Sequence, residues 1–218
     1  MKATHKSAPL NPEPRWPAML AVLGMATINL ALPERLTPGP NWLLLLLLSV
    51  LLVPTFIAYR KGRAQLNFRL GVLVSATMTL ALIWSLGVLV AGLSAKRESP
   101  TELLRSAIAL WVSNIVVFAS WYWRLDAGGP HSRDMRPSHS EGAFLFPQMT
   151  LRPSQDPNAP AWKPGFVDYL FLAFNTSTAF SPTDVPVLSR WAKALMMIQS
   201  SVSLATLAIL AARAINIL

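Results

Sequence analysis

Phe166-Val-Asp-Tyr-Leu-Phe-Leu-Ala-Phe-Asn-Thr-Ser-Thr178, followed without a break by Ala179-Phe180-Ser181-Pro182-Thr183-Asp184, decides how the chain is read. The first piece is apolar and opens after Pro164-Gly165. As a helix it rises roughly 20 Å, against a hydrocarbon core of about 30 Å, so it is too short to cross a bilayer. The second piece is polar and irregular. Beyond it, residues 190–218 are apolar over a full crossing length. Half-length helix, polar strand and spanning helix, in that order, describe a re-entrant segment that dips into the lipid layer and turns back. Backbone without helical hydrogen bonds is tolerated at membrane depth only where protein buries it or water lines it. The stretch is therefore the first place to look for a function.

Composition agrees with a membrane chain. Of 218 residues, 53% are hydrophobic and 13% charged, and the mean hydropathy is +0.42. There is no cysteine, which excludes disulfides, thiol chemistry and cysteine-ligated metals. The net charge of +9 raises nucleic acid as a partner. The basic residues, however, lie in short loops beside apolar spans, where Lys and Arg set topology and meet anionic lipid, and no nucleic-acid recognition motif accompanies them. Membrane lipid is the expected partner; nucleic acid is not. No nucleophile–base motif, no pair of carboxylates inside a span and no helical metal-hydrolase signature occurs, so neither enzyme activity nor a cofactor is expected. His131 and His139, near Asp134 and Glu141, match no metal-ligand spacing, and no metal is expected. Gly128-Gly129 lacks a phosphate-binding context and reads as a turn.

Along the chain the pattern predicts an all-α membrane protein with five transmembrane helices plus one re-entrant half-helix and a pore-like loop. Residues 1–17 read as a flexible basic tail. Residues 18–93 read as a three-helix membrane region. Its first helix is closed by Pro33, its second covers 41–59 with Pro54 inside, and its third covers 70–93 after a basic loop carrying Arg60, Lys61, Arg63 and Arg69. A cleaved secretory signal is a poorer reading of the first helix, because Asn29-Leu30-Ala31 lacks a small residue at the outer cleavage position and more spans follow. Gly71, Ser75, Gly87 and Gly92 offer small surfaces for close helix packing. Ser99-Pro100-Thr101-Glu102 reads as a helix start. Residues 102–218 then form a hairpin module: outer helix 102–125, long loop 126–164, half-helix 166–178, loop 179–185 and inner helix 190–218. The outer helix ends in Trp121-Tyr122-Trp123-Arg124, a membrane–water interface cluster. An apolar island at 143–149 either caps the membrane face of the fold or forms a short hairpin.

Thr176-Ser177-Thr178-Ala179-Phe180-Ser181-Pro182-Thr183-Asp184 resembles the pore loop of tetrameric potassium-type channels, whose pattern T-x-T-T-V-G-Y-G-D it meets without a gap. Thr176, Thr178 and Asp184 match, as do the flanking helices, and the resemblance covers roughly residues 102–218. It implies an ion channel-like protein acting as a homo-oligomer, a tetramer. Monovalent or divalent cations would pass a constriction formed by Thr178, Ala179, Phe180, Ser181, Pro182 and Thr183, with Asp184 at its mouth. Thr176, Ser200 and Ser203 would line the pore helix and inner helix. Ser181 and Thr183 stand where the family has glycines, and Pro182 where it has tyrosine. Glycine supplies the backbone freedom that turns successive carbonyls inward, and proline fixes its own φ. The departures imply weak selectivity through a wider, hydroxyl-lined constriction, or a sealed relic. The whole chain also resembles a family of uncharacterised bacterial inner-membrane proteins of unknown function. The likeness rests on Tyr122-Trp-Arg-Leu-Asp-x-Gly-Gly-Pro130, Pro164-Gly-Phe-Val-Asp-Tyr-Leu170 and 179–184. It implies a multi-pass protein of the bacterial inner (plasma) membrane and carries no function.

Each element has a plainer reading beside it. Asp184 forms a cation ring or caps the last helix. Asp168 lies in the first turn of the half-helix, where a carboxylate is favourable by dipole alone. Ser200, Ser201, Ser203 and Thr206 line a pore or bond back to their own helix. A non-conducting membrane scaffold or accessory subunit that keeps the channel-like hairpin is the alternative function. A transporter is less favoured, because no span carries a central charge. Orientation divides the arguments. The N-terminal tail, loop 59–69 and segment 124–193 hold fourteen of the nineteen Lys and Arg residues, which places them in the cytoplasm by the positive-inside rule. Potassium-type pore loops enter from the opposite side.

Overall fold

The computed structural model describes residues 12–93, 99–151, 162–181 and 184–215. Their regular structure is helical, with one isolated β-bridge and no strand among them. The helices are α1 (Trp16–Leu30), α2 (Trp42–Arg60), α3 (Ala64–Leu93), α4 (Pro100–Leu125), the short α5 (Pro130–Asp134), α6 (Phe166–Ala179) and α7 (Arg190–Ile215). Four of them, α2, α3, α4 and α7, are long and apolar enough to cross a membrane. The expected fifth, α1, has 15 residues; as a helix it rises about 22 Å and falls short of a full crossing on its own length.

The apolar residues of these helices do not all turn inward. Leu46, Val50 and Val53 on α2, Leu80, Ile83 and Trp84 on α3, and Met197, Ile198 and Leu204 on α7 are exposed. A helix that is hydrophobic all round needs an apolar surrounding on its outer face too, which lipid supplies and water does not. α4 is the exception. It packs on α1, α3, α6 and α7 and is the most enclosed of the four long helices.

Local chemistry sets the boundaries. The Ser99 hydroxyl accepts from the Glu102 amide (3.3 Å) and the Glu102 carboxylate accepts from the Ser99 amide (3.0 Å), closing the capping box that starts α4. α2 ends in a Schellman turn: Gly62 is left-handed at φ +64, and the Arg63 and Gly62 amides reach back to the Ala58 and Tyr59 carbonyls at 2.9 and 3.0 Å. That closure is so tight that α3 starts at Ala64, and Arg69 lies on the helix rather than in the expected 59–69 loop.

The chain ends of the helices sort into two groups. The Arg15 guanidinium stacks on Tyr59 and Trp123, and Asn67 bonds Arg124. The start of α1, the end of α2, the start of α3 and the end of α4 therefore meet at one end, the basic end. Residues 143–146 lie there too. Phe144 bridges to Val187, the Leu145 amide donates to the Pro186 carbonyl at 2.9 Å, and the Leu188 amide to the Ala143 carbonyl at 2.8 Å. Ala143, Phe144 and Phe146 are buried. The apolar island is thus a cap over the basic end, held by aromatic edge-to-face contacts among Phe144, Phe146, Tyr169 and Trp191. Of the expected flexible tail 1–17, residues from 12 onward are described, and they are tied down: Glu13 and Arg15 pair with each other and with Arg133 and Asp134.

Candidate functional site

α6 runs antiparallel to α4 and reaches only its middle. Phe166 sits edge-on to Trp123 at the basic end, 5.7 Å between centroids, while Phe174 meets Trp111 (6.1 Å) and Ser177 meets Asn114. Twelve α4 residues separate Trp123 from Trp111, a rise of about 18 Å. Beyond Ala179 the chain returns to the basic end, where Val187 pairs with Phe144. Eight residues extend about 26 Å at most, enough for that return without another helix.

The two ends of α6 are held differently. At its start the Asp168 carboxylate accepts from the Gly165 amide at 2.7 Å, the capping role expected of it. Glu13, 153 residues away in the chain, accepts from the Phe166 amide at 2.6 Å and from the Trp123 indole at 2.8 Å. One turn on, the Tyr169 hydroxyl donates to Asp126 at 2.6 Å; Asp126 also accepts from the Ala143 amide at 2.5 Å. At the tip, polar side chains of α4 and α7 close the last turn. Gln199 donates to the Ala173 carbonyl (2.7 Å) and the Ser177 hydroxyl (2.8 Å), and accepts from the Tyr122 hydroxyl (2.6 Å). Ser203 donates to the Ser177 carbonyl (2.5 Å) and accepts from the Trp111 indole (3.1 Å). Asn114 donates to the Gln199 carbonyl at 3.2 Å.

The residues singled out by sequence divide along this line. Thr176 and Ser203 are buried, and Thr176 bonds back to the Leu172 carbonyl at 2.8 Å. Neither faces open space; Ser203 works in the network that closes the α6 tip. Ser200 is half-buried. Thr178, Ala179, Phe180, Ser181 and Asp184 are exposed together at and beyond the tip. Thr178 bonds back to the Phe174 carbonyl at 3.0 Å. Phe180 ends the helix in the left-handed conformation, φ 54, which a bulky residue adopts at a cost of about 1–2 kcal/mol. Pro182 and Thr183 lie outside the described residues. Sequence reasoning missed Gln199 and Asn114, and it read Tyr122 as part of an interface cluster, whereas Tyr122 is wholly buried and bonds Gln199. The available signal was an amide in the middle of each of two apolar spans, which needs a partner inside the protein.

The charged cluster at the basic end has its own electrostatics. Burial pushes the Glu13 carboxyl up from its usual range, while Arg133 and Arg15 pull it back. His139 is buried between Phe146 and Trp162, its Nε2 3.6 Å from Asp126, and neither ring nitrogen has a hydrogen-bond partner among the described residues. Burial pushes its pKa below the ordinary 6.5; Asp126 opposes this and Arg133 and Arg136 add to it. Unfolded, His139 takes up its proton near pH 6.5; folded, only at lower pH. Between those values the unfolded chain holds more protons, so stability is complete above the unfolded pKa and falls as pH drops through the folded one. Glu13, raised by burial, has the opposite sign, so the histidine is isolated by difference. A melting curve in detergent is expected to shift down between about pH 7 and pH 5, and to shift less in His139→Gln. Equal shifts in the two proteins contradict this. No group of three or more His, Asp or Glu able to hold a metal occurs among the described residues.

Comparison of the chain with protein-family models, with curated proteins and with solved structures finds no match to any of them. The four long apolar helices fit a multi-pass membrane protein.

Proposed function

We propose that the chain is a channel-like module of the bacterial inner membrane, with α1 completing a fifth crossing and α6 as a re-entrant half-helix entering from a cytoplasmic basic end. Weakly selective cation conduction would occur where the exposed 178–184 segments of several copies, a tetramer by analogy, converge on an axis. The observation that carries this is the position of the α6 tip: half-way along α4, packed against its own α4 and α7, yet exposing Thr178, Ala179, Phe180 and Ser181. Asp184, also exposed, raises the local cation concentration. Ser181, Pro182 and Thr183 in place of the flexible glycine pattern argue against a potassium-selective carbonyl stack.

Liposomes carrying the protein are expected to pass monovalent cations. Asp184→Asn lowers the flux several-fold at low ionic strength, and the two proteins converge at high salt, because field focusing by an exposed carboxylate is screened. Absence of flux, or an Asp184→Asn variant indistinguishable at low salt, counts against conduction.

A specific observation favours the alternative, a non-conducting scaffold or accessory subunit. The Ser177 carbonyl in the last turn of α6, where partial negative charge would attract a cation, is already taken by Ser203. Native mass spectrometry separates the two. A ring of four supports the channel; a monomer or dimer without flux supports the scaffold.

A further inference from the structure

Arg124 is buried at the basic end of α4 with 7% of its surface exposed. Its neighbours Arg15 and Arg133 have carboxylate partners in Glu13 and Asp134. Arg124 has none among the described residues. Its guanidinium stacks on Trp123 at 4.7 Å and gives one hydrogen bond to Asn67 at 3.2 Å, and its Nε finds no acceptor. An arginine stays charged at any physiological pH, and a buried charge without a counter-charge is strongly unfavourable. The guanidinium fits only because residue 71 of α3 is glycine. A Cβ there would overlap it. The fold therefore makes room for a cation and sets no carboxylate against it; the nearby Glu13 carboxylate is paired with Arg15 and Arg133.

Two cavities meet at this side chain, and Asn67 and Arg124 line both. On one side is a cavity of about 270 Å³ with a mixed wall that includes Gln65, Phe68, His131 and Ser132. On the other is a narrow hollow of about 40 Å³ between α1, α2, α3 and α4, walled mainly by apolar side chains such as Ala18, Val22, Leu52 and Val74. A chamber the size of a small headgroup, a guanidinium, and an apolar slot that admits the start of a chain lie in sequence. We infer that this is a binding site for an anionic phospholipid, its phosphate on the Arg124 fork and the first methylenes of an acyl chain in the slot. The planar guanidinium matches phosphate oxygens bidentately, and Arg60, Lys61 and Arg63 at the same end attract anionic lipid. The site requires only that the chain is embedded in a membrane and stands under either functional reading.

The test is native mass spectrometry of delipidated protein offered phosphatidylglycerol or phosphatidylcholine with the same chains, alongside melting curves with inorganic phosphate alone. Wild type is expected to retain one phosphatidylglycerol in preference to phosphatidylcholine. Arg124→Gln is expected to hold it at least about tenfold more weakly, the worth of a charge-assisted hydrogen bond. Gly71→Ala keeps every charge and displaces the guanidinium, so it should lose the preference too and serves where Arg124→Gln does not fold. Arg105→Gln, which removes one exposed charge near the other end of α4, should behave as wild type. Equal retention of the two lipids, or an unchanged preference in Gly71→Ala, overturns the assignment. Inorganic phosphate that stabilises as strongly as phosphatidylglycerol overturns it in favour of a free-anion site.

Discussion

Asp126→Ala is expected to lower stability by about 3–5 kcal/mol, because it strips the shared acceptor from two buried donors at once. Asp126 is wholly buried. Its two oxygens take the Ala143 amide at 2.5 Å and the Tyr169 hydroxyl at 2.6 Å. One contact fixes the apolar island whose Phe144 pairs with Val187, and the other fixes the first turns of α6. The carboxylate thus joins three pieces of chain: the end of α4, the cap and the half-helix. With alanine, an amide and a phenol remain buried without partners, and that desolvation, more than the lost attraction, sets the size of the effect. Asp126→Asn keeps the shape and one acceptor but presents a donor to the other; a loss of about 1–2 kcal/mol is expected. Tyr169→Phe removes donor and hydroxyl together and should cost about 1 kcal/mol. Melting in detergent measures all three, and the Asp126→Ala/Tyr169→Phe cycle should show positive coupling. Trypsin cleavage near Arg136 should accelerate in Asp126→Ala. A variant within about 1 kcal/mol of wild type would mean that water reaches these donors and the cap is not sealed.

What the sequence discloses and what it hides follow from the range of the interactions. The capping box at Ser99 and Glu102, the Asp168 cap, the short α6 and its polar tip are local patterns, legible from residues three or four apart. The grouping of the basic segments at one end follows from helix count and charge. Long-range partners are not legible. Nothing in a Pro-rich N-terminal tail announces that Glu13 will meet the amide of Phe166. Nor does a loop aspartate announce its tyrosine 43 positions later. Gly71 reads as a helix-packing residue, yet its missing Cβ accommodates the Arg124 side chain; the two are 53 positions apart. Among the inner-helix hydroxyls, Ser201 and Thr206 bond back to their own helix, one of the two readings the sequence offers; Thr178, read as lining a constriction, does so too. Ser203 does not, because the end of a second helix happens to offer it a carbonyl.

Gln199→Leu is expected to free the α6 tip while leaving its start in place. Leucine fills much the same volume in α7 but supplies neither donor nor acceptor. The Tyr122 hydroxyl loses its partner, the Ala173 carbonyl keeps only its bond within the helix, and the Ser177 hydroxyl keeps only the 3.4 Å contact with Asn114. Hydrogen bonds between helices in lipid are worth about 0.6 kcal/mol each and at most about 1.7, less than in a dry core, because the loosened state also finds partners. Three bonds and the stranded groups together give about 2–4 kcal/mol. The consequence is local, since Glu13, Asp168 and Tyr169 still hold the other end. The chain has no cysteine, so Ser181→Cys can report on the tip with a membrane-impermeant thiol reagent. In the Gln199→Leu background its labelling should speed up, while a cysteine at Leu170, near the held end, should be unaffected. Equal rates at 181 with and without Gln199 would show that the tip is held by something other than this network. Because the network lies within one chain, the labelling result is the same for a conducting ring and for a silent scaffold. Flux separates them: only in a channel does loosening the tip also change which cations pass.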